Sequence, residues 1–131
     1  MEEGYFLEKI RGVDWVQYVG PDCYRAESVE PALEALVGLP GKACDDRVSF
    51  RVLSAIGNNH RGTYYPALLS ALEILLEVEA NGPSDAARKC ANAVLYDLCC
   101  FEPEVGDYSE IANAELGAFV EPQIRKFGDE T

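Results

Sequence analysis

The segment from residue 56 to residue 76 constrains the fold more than any other part of the chain. An apolar stretch ends at Gly57, the polar loop Asn58–Gly62 follows, and a leucine-rich run extends from Ala67 to Leu76. Apolar side chains spaced three and four residues apart on both sides of the loop predict two helices that meet at a corner. We expect Thr63 to cap the second helix and Pro66 to lie in its first turn, where no N–H is needed.

Further helices are predicted on either side of this corner. Apolar residues repeat at helical spacing over residues 29–37, 44–56, 87–98 and 111–124. Ser28 and Ser84 are expected N-caps, and strand patterns are weak throughout. Two helical hairpins recur at a spacing of about 36–40 residues, close to the period of helical repeat arrays. The predicted fold class is therefore all-α, with stacked antiparallel helical hairpins of HEAT-like type and about five to seven helices.

The chain is predicted to form a single domain over residues 1–131. Residues 1–28 are expected to form an irregular N-terminal anchor, in which Tyr5–Ile10 is a short helix and Trp15 packs into the core. Pro122 should kink or divide the last helix because it removes one helical hydrogen bond. We expect Gly128 to end that helix and residues 129–131 to fray.

The charge is strongly acidic and unevenly distributed. The chain has 23 acidic and 11 basic residues, a net charge of -12. Residues 1–72 contain 10 acidic and 7 basic residues, whereas residues 73–131 contain 13 and 4. Such a field repels nucleic acids and anionic membranes and attracts basic proteins. Because the sequence also has neither a secretory signal nor an apolar run of about 20 residues, a cytoplasmic location is predicted.

The sequence contains no constellation of residues that predicts an enzyme. The five cysteines are odd in number and lack a CxxC spacing, which favours free thiols over disulfides or a zinc site. His60, the single histidine, lies in the corner loop, where capping a helix end is the expected role. We predict no catalytic residue, no metal and no cofactor.

The densest group of carboxylates lies between the last two predicted helices. Glu102, Glu104, Asp107 and Glu110 surround Tyr108. One interpretation is a solvated loop in which residues 107–110 form a capping box for the next helix. The other is an acidic interaction patch with an aromatic anchor at its centre. A second candidate contact site combines the corner residues His60, Arg61, Tyr64 and Tyr65, with one of the two tyrosines in the core.

The stretch from Trp15 to Leu98 resembles the small HEAT-like α-helical immunity proteins of bacterial polymorphic toxin systems, including contact-dependent inhibition and type VI secretion systems. The corresponding pieces of this chain are Trp15, Gly20, Pro31 to Leu39, Val48 to Ile56, His60 to Tyr65, and Ala67 to Leu76. The corner, His-x-Gly-Thr-x-Tyr, is the most specific of them. Arg61 stands where the family more often has Gln.

The resemblance implies an immunity protein that binds the C-terminal domain of a cognate toxin. That toxin is expected to be basic and a nuclease, and an acidic surface of this chain would cover its active site. The expected toxin-binding residues are Glu102, Glu104, Asp107, Tyr108 and Glu110, followed by Glu77, Glu79 and Asp97. The alternative is a helical-repeat adaptor for a cellular protein assembly. Neither interpretation involves binding to nucleic acid or to a membrane.

Overall fold

Six α-helices and one three-stranded sheet form the regular structure of the described residues. The computed structural model describes residues 2–18, 20–21, 24–104 and 113–130. In chain order the elements are α1 (Glu3–Arg11), α2 (Val29–Val37), α3 (Asp46–Ile56), β1 (Gly57–Asn58), β2 (Thr63–Tyr64), α4 (Leu68–Asn81), α5 (Asp85–Leu98), β3 (Glu102–Pro103) and α6 (Asn113–Glu130). Two 3₁₀ turns, Trp15–Gln17 and Ala26–Ser28, precede α2. The predicted helical class is confirmed, whereas the sheet was not predicted.

Apolar stripes hold the helices against one another. α4 packs against α5, α2 packs against α3, and both α2 and α3 also contact α5. Leu72, Leu75 and Leu95 are fully buried on the central pair of helices. Full burial of a leucine side chain contributes about 1.5–3 kcal/mol to the stability of the fold. These apolar stripes therefore hold together the helices that the sequence periodicity predicted. Among the described residues, no helix combines the length and the apolar character needed to cross a membrane.

Side-chain caps fix the start of two helices. Asp45 accepts a hydrogen bond from the backbone N–H of Arg47 (2.9 Å) at the start of α3. Ser84 accepts one from Ala87 (3.0 Å) at the start of α5, so its predicted role is confirmed. Ser28 does not cap α2, because its hydroxyl donates instead to the carbonyl of Arg25 (2.7 Å) within a 3₁₀ turn.

The N-terminal segment is anchored by one helix and one tryptophan. Phe6 and Ile10 of α1 are fully buried, and α1 contacts α2 and α4. Trp15 is 5% exposed, and its indole N–H donates to the carbonyl of Ile10 (3.1 Å). The predicted short helix and the predicted core position of Trp15 are confirmed.

The corner (residues 57–64) differs from its prediction. β1 pairs antiparallel with β2, and β2 pairs parallel with β3, with Thr63 opposite Glu102. Thr63 is therefore a strand residue and does not cap α4, which begins five residues later at Leu68. Tyr64 and Tyr65 are both buried, 3% and 1% exposed, so neither presents its ring to a partner.

The last helix continues beyond both of its predicted interruptions. α6 runs from Asn113 to Glu130 with Pro122 inside it, so it is neither divided there nor ended at Gly128. Ile124 and Phe127 are buried beyond the proline, and the Phe127 ring contacts Tyr96 edge to face with centroids 5.4 Å apart. This apolar contact offsets the loss of one helical hydrogen bond.

Residues 129 and 130 form the last part of α6, and fraying of residues 129–131 stays a prediction. The predicted capping box at residues 107–110 lies outside the described residues. α6 packs against α4, α5 and β3 and so forms one wall of the groove considered next.

Candidate functional site

The predicted contact residues that the structure describes lie on α4, on α5 and in or just after β3. Glu102 is exposed on β3, and Asp97 is exposed near the end of α5. Glu79 is half-buried on α4. Asp107, Tyr108 and Glu110 lie outside the described residues. The remaining two, Glu77 and Glu104, each have partners within the chain.

Glu104 is buried against residues of the corner. It is 3% exposed, and its carboxylate accepts hydrogen bonds from the Thr63 hydroxyl and from the Arg61 guanidinium, the latter at 3.2 Å. Its backbone N–H donates to the carbonyl of Tyr64 (2.9 Å). The charge of Glu104 is therefore held inside this structure, and its contact with a partner stays a prediction. Burial of a charge requires partners of this kind, and Thr63 and Arg61 provide them.

Glu77 is held by the N-terminal helix. Its carboxylate pairs with the Lys9 ammonium and accepts a hydrogen bond from the Tyr5 hydroxyl. Lys9 also reaches Glu73 at 3.1 Å. The hydrogen bond from Lys9 and then that from Tyr5 lower the pKa of Glu77, and the bond to Glu77 raises the pKa of Lys9. Glu77 therefore joins α4 to α1, and a partner would have to compete with Lys9 for its charge.

A groove lies between the end of α5, β3 and α6. Its volume is about 520 Å³. Buried apolar side chains line its floor: Leu98, Val120 and Ile124. Gly117 of α6 and Pro103 of β3 form one wall, and a Cβ at Gly117 would lie 3.2 Å from Pro103 Cγ. The absence of a side chain at Gly117 therefore lets α6 approach β3 closely.

Carboxylates surround this floor. Glu102 on β3 and Glu121 and Asp129 on α6 line the groove, and all three are exposed. Arg125 also lines it and forms an ion pair with Glu121. With three acidic side chains and one basic one, this acidic groove has a negative charge above an apolar floor.

Two of the groove carboxylates, Glu102 and Glu121, both raise the pKa of Tyr64. Burial is the main cause that raises the pKa of Tyr64 to about 12, and the negative charges of Glu121 and Glu102 raise it further. Tyr64 also lines the groove. Glu102 and Glu121, nineteen positions apart in sequence, therefore contribute to one local field.

Sequence reasoning found one of the three groove carboxylates and missed Glu121 and Asp129. A signal was available, because Glu121, Arg125 and Asp129 follow one another at intervals of four residues. Side chains at this interval lie on one face of a helix. The expectation that α6 ends at Gly128 removed Asp129 from consideration.

The groove is suited to binding a cation rather than to nucleophilic chemistry. A partner's arginine or lysine can place its charge between the carboxylates and its aliphatic stem on the apolar floor. Cys99 and Cys100 also line the groove. Burial, and then the neighbouring Cys100, raises the pKa of the Cys99 thiol and disfavours the reactive thiolate.

His60, the single histidine, lies elsewhere. It is exposed in the corner loop and lines a separate concavity beside α3. Comparison with protein-family models, with curated proteins and with solved structures gave no match.

Proposed function

We propose that this chain is an immunity protein that neutralises a basic bacterial toxin domain, expected to be a nuclease, by occupying its active site with the acidic groove. The observation that carries the proposal is the convergence of Glu102, Glu121 and Asp129 around an apolar floor. A nuclease binds phosphates through lysines and arginines, so its active site is basic. A groove that combines carboxylates with an apolar floor can bind both the charges and the stems of such side chains.

The charge of the whole chain supports the same proposal. A net charge of -12 attracts a basic partner over a longer range than the groove alone and raises the association rate. The toxin acts on cellular nucleic acid, so the proposed place of neutralisation is the cytoplasm.

The proposed architecture for this role is HEAT-like. α2 with α3 and α4 with α5 would be two stacked hairpins, and the contacts of α2 and α3 with α5 support this arrangement. α6 would then cover one end of the stack and contribute half of the residues that line the groove. Stacked hairpins of this kind commonly present extended binding surfaces.

Co-expression with the cognate toxin domain tests the proposal. The C-terminal domain of a secreted protein encoded by the neighbouring gene would be produced alone and together with this chain, and growth and co-purification would be measured. We expect toxicity from the domain alone, and growth with a stoichiometric complex when both are present. Toxicity without rescue or binding would contradict the immunity role and favour an adaptor.

Charge reversal tests the acidic groove as the binding site separately from the immunity role. We expect Glu102→Lys and Asp129→Lys to abolish rescue and binding while the helical signal and the melting temperature remain unchanged. Glu8→Lys, an exposed reversal on α1, is the matched control and should rescue fully. If rescue survives the groove reversals, the immunity role stands but the acidic groove is not its binding site.

A further inference from the structure

An exposed aromatic residue lies on the outer face of α3. The inner face of this helix is buried through residues such as Val52 and Ile56, whereas Phe50 is 59% exposed. A single exposed apolar side chain is common on protein surfaces and needs no partner. Phe50 differs from such residues in what surrounds it.

Phe50 lines two concavities of the surface. One, of about 530 Å³, is lined by Phe50 and Ser54 together with Asn58, Asn59 and His60 of the corner. The other, of about 370 Å³, is lined by Phe50 and Ser54 together with Arg25 and Arg51. We call the two concavities together, with the Phe50 ring that they share, the Phe50 surface.

The Phe50 surface is basic in a chain that is otherwise acidic. Neither concavity has an aspartate or a glutamate among its described lining residues. Glu27, beside Ser28, and Asp46, one helical turn before Phe50, are exposed but line neither concavity. The bases here are Arg25 and Arg51, with His60 on the opposite side of the ring.

These two arginines also differ from the others in their partners. Every other arginine of the chain pairs with a carboxylate: Arg11, Arg47, Arg61, Arg88 and Arg125. Within the part of the chain that the structure describes, Arg25 and Arg51 form no ion pair. In a protein with twice as many acidic as basic residues, both of these arginines flank the same exposed aromatic ring.

We propose that the Phe50 surface is a second binding site, which takes an acidic segment of a protein partner. The guanidinium groups of Arg25 and Arg51 bind the carboxylates of that segment, since a guanidinium matches the geometry of a carboxylate. An apolar side chain between the carboxylates packs on the Phe50 ring, and Asn58 and Asn59 hydrogen-bond to polar groups beside it. The proposal goes beyond the acidic groove, which would bind a basic partner.

The overall charge opposes every acidic ligand, so the local arginines and the Phe50 ring have to favour the occupant, and they favour a short acidic segment over the two alternatives. A net charge of -12 repels the phosphates of a nucleic acid, although an arginine could bind one phosphate. The same net charge opposes close association of two copies of this chain. An acidic peptide segment has a smaller total charge, and its apolar residue gains the contact with Phe50.

Titration of the ¹⁵N-labelled protein with a short synthetic peptide tests this site. The peptide has glutamates on both sides of a central leucine–phenylalanine pair, and its twin has lysines in place of the glutamates. We expect the acidic peptide to shift the amide signals of residues 50–60, and the lysine twin to leave them unchanged. A shift caused equally by both peptides, or none at millimolar peptide, would overturn the proposal.

Matched variants on one helix make the test specific. Phe50→Ala and Arg51→Gln should each weaken peptide binding about tenfold or more. Arg47→Gln is the control, because its side chain is 96% exposed on the same helix but lines neither concavity. Equal weakening by Arg47→Gln would overturn the proposal. Melting temperatures should match the unmodified protein, and Arg51→Gln still tests the site if Phe50→Ala unfolds.

Two further measurements address the alternative occupants. Shifts of the same amide signals by a short oligothymidylate, lost in Arg51→Gln, would assign the site to phosphate and overturn the proposal. Dimerisation in analytical ultracentrifugation without peptide, lost in Phe50→Ala, would assign it to a second copy and also overturn it. Failure of the acidic-groove reversals to affect a toxin would leave these results unchanged, so the two proposals fail independently.

Discussion

The α4–α5 pair and the corner are held together by different forces. Buried apolar side chains such as Leu72 and Leu95 form the contact between the two helices. The corner depends instead on short backbone ladders and on the buried carboxylate of Glu104. A wide apolar contact distributes its stability over many atoms, whereas two-residue strands depend on each polar contact.

The difference matters because the corner positions the acidic groove. The N–H of Glu102 donates to the carbonyl of Gly62 (3.0 Å), and the N–H of Glu104 donates to that of Tyr64 (2.9 Å). These bonds hold β3 so that Glu102 faces the groove while Glu104 is buried two residues later. The helical pair supports the fold, and the corner sets the geometry of the proposed binding site.

The largest loss of stability is expected from the helical pair. Leu72→Ala should lower the free energy of unfolding by about 2–5 kcal/mol, because it removes fully buried methyl groups and leaves a cavity. Urea denaturation followed by circular dichroism measures the loss. Leu76→Ala, at a half-buried position of the same helix, should lose clearly less. Equal losses at the two positions would contradict the packing described for α4.

Gly57→Ala tests the close approach of β1 to β2. A Cβ at this position would lie 2.4 Å from the carbonyl oxygen of Thr63, so the strands must separate. The φ of Gly57 is -170°, an extended value, so crowding is the only cause. We expect a loss of about 2 kcal/mol in the same denaturation experiment. Gly4→Ala, with no atom within 4 Å, should be neutral or slightly stabilising; a neutral Gly57→Ala would contradict the sheet.

Ionisation of Tyr64 at alkaline pH should lower the stability of the fold at the corner. Its pKa is raised from 10.0 to about 12, so the unfolded chain releases this proton at a lower pH than the folded chain. The contribution of Tyr64 to the free energy of unfolding should therefore be constant below pH 10 and fall between pH 10 and pH 12, by about 2 kcal/mol.

Tyr24, with a pKa also raised to about 12, should contribute a similar decline. Burial also raises the pKa of the Cys90 thiol from 9.0 to about 11, so its share of the decline begins near pH 9. Tyr64→Phe should accordingly remove only the share of Tyr64, about 2 kcal/mol, from the total fall in stability measured by urea denaturation from pH 8 to pH 12. Tyr96→Phe is the control at an exposed position. An alkaline decline that is the same in Tyr64→Phe and in the unmodified protein would show that Tyr64 does not stay protonated in the folded state.

Glu104→Gln is expected to have the smallest of these effects on stability. It keeps the shape of the side chain but removes the charge that faces Arg61 and Thr63, at a cost of about 1–2 kcal/mol. Glu102→Gln, two residues earlier and exposed, should change stability by less than about 0.5 kcal/mol. A difference in the opposite direction would place the structural carboxylate at residue 102.

Local patterns predicted the helices well, because the interactions that form a helix are close in sequence. The periodicity of residues 29–37 and 87–98 predicted α2 and α5, and Ser84 caps α5 as predicted. At the corner, Thr63 pairs with Glu102 across 39 positions, and a two-residue strand has no periodicity of its own. Propensity therefore assigned Thr63 to a cap, and tertiary pairing made it a strand residue.

The candidate site was predicted less completely for the same reason. Charge alone treats Glu102 and Glu104 alike, but Glu104 lies just beyond β3, where its carboxylate is buried against Thr63 and Arg61, whereas Glu102 is exposed. Glu121 and Asp129 become part of the site only because α6 packs against β3. No local pattern in the sequence connects these two regions.

Hydrogen exchange of the complex with the co-purified toxin domain would test the central claim most directly. Amides of residues 98–103 and 117–129, which border the acidic groove, should exchange more slowly in the complex than in the free chain. The outer face of α1, including Glu8, should be unchanged and provides the internal reference. Protection that leaves the groove unaffected and lies elsewhere would contradict the account, because the toxin would then bind a different surface.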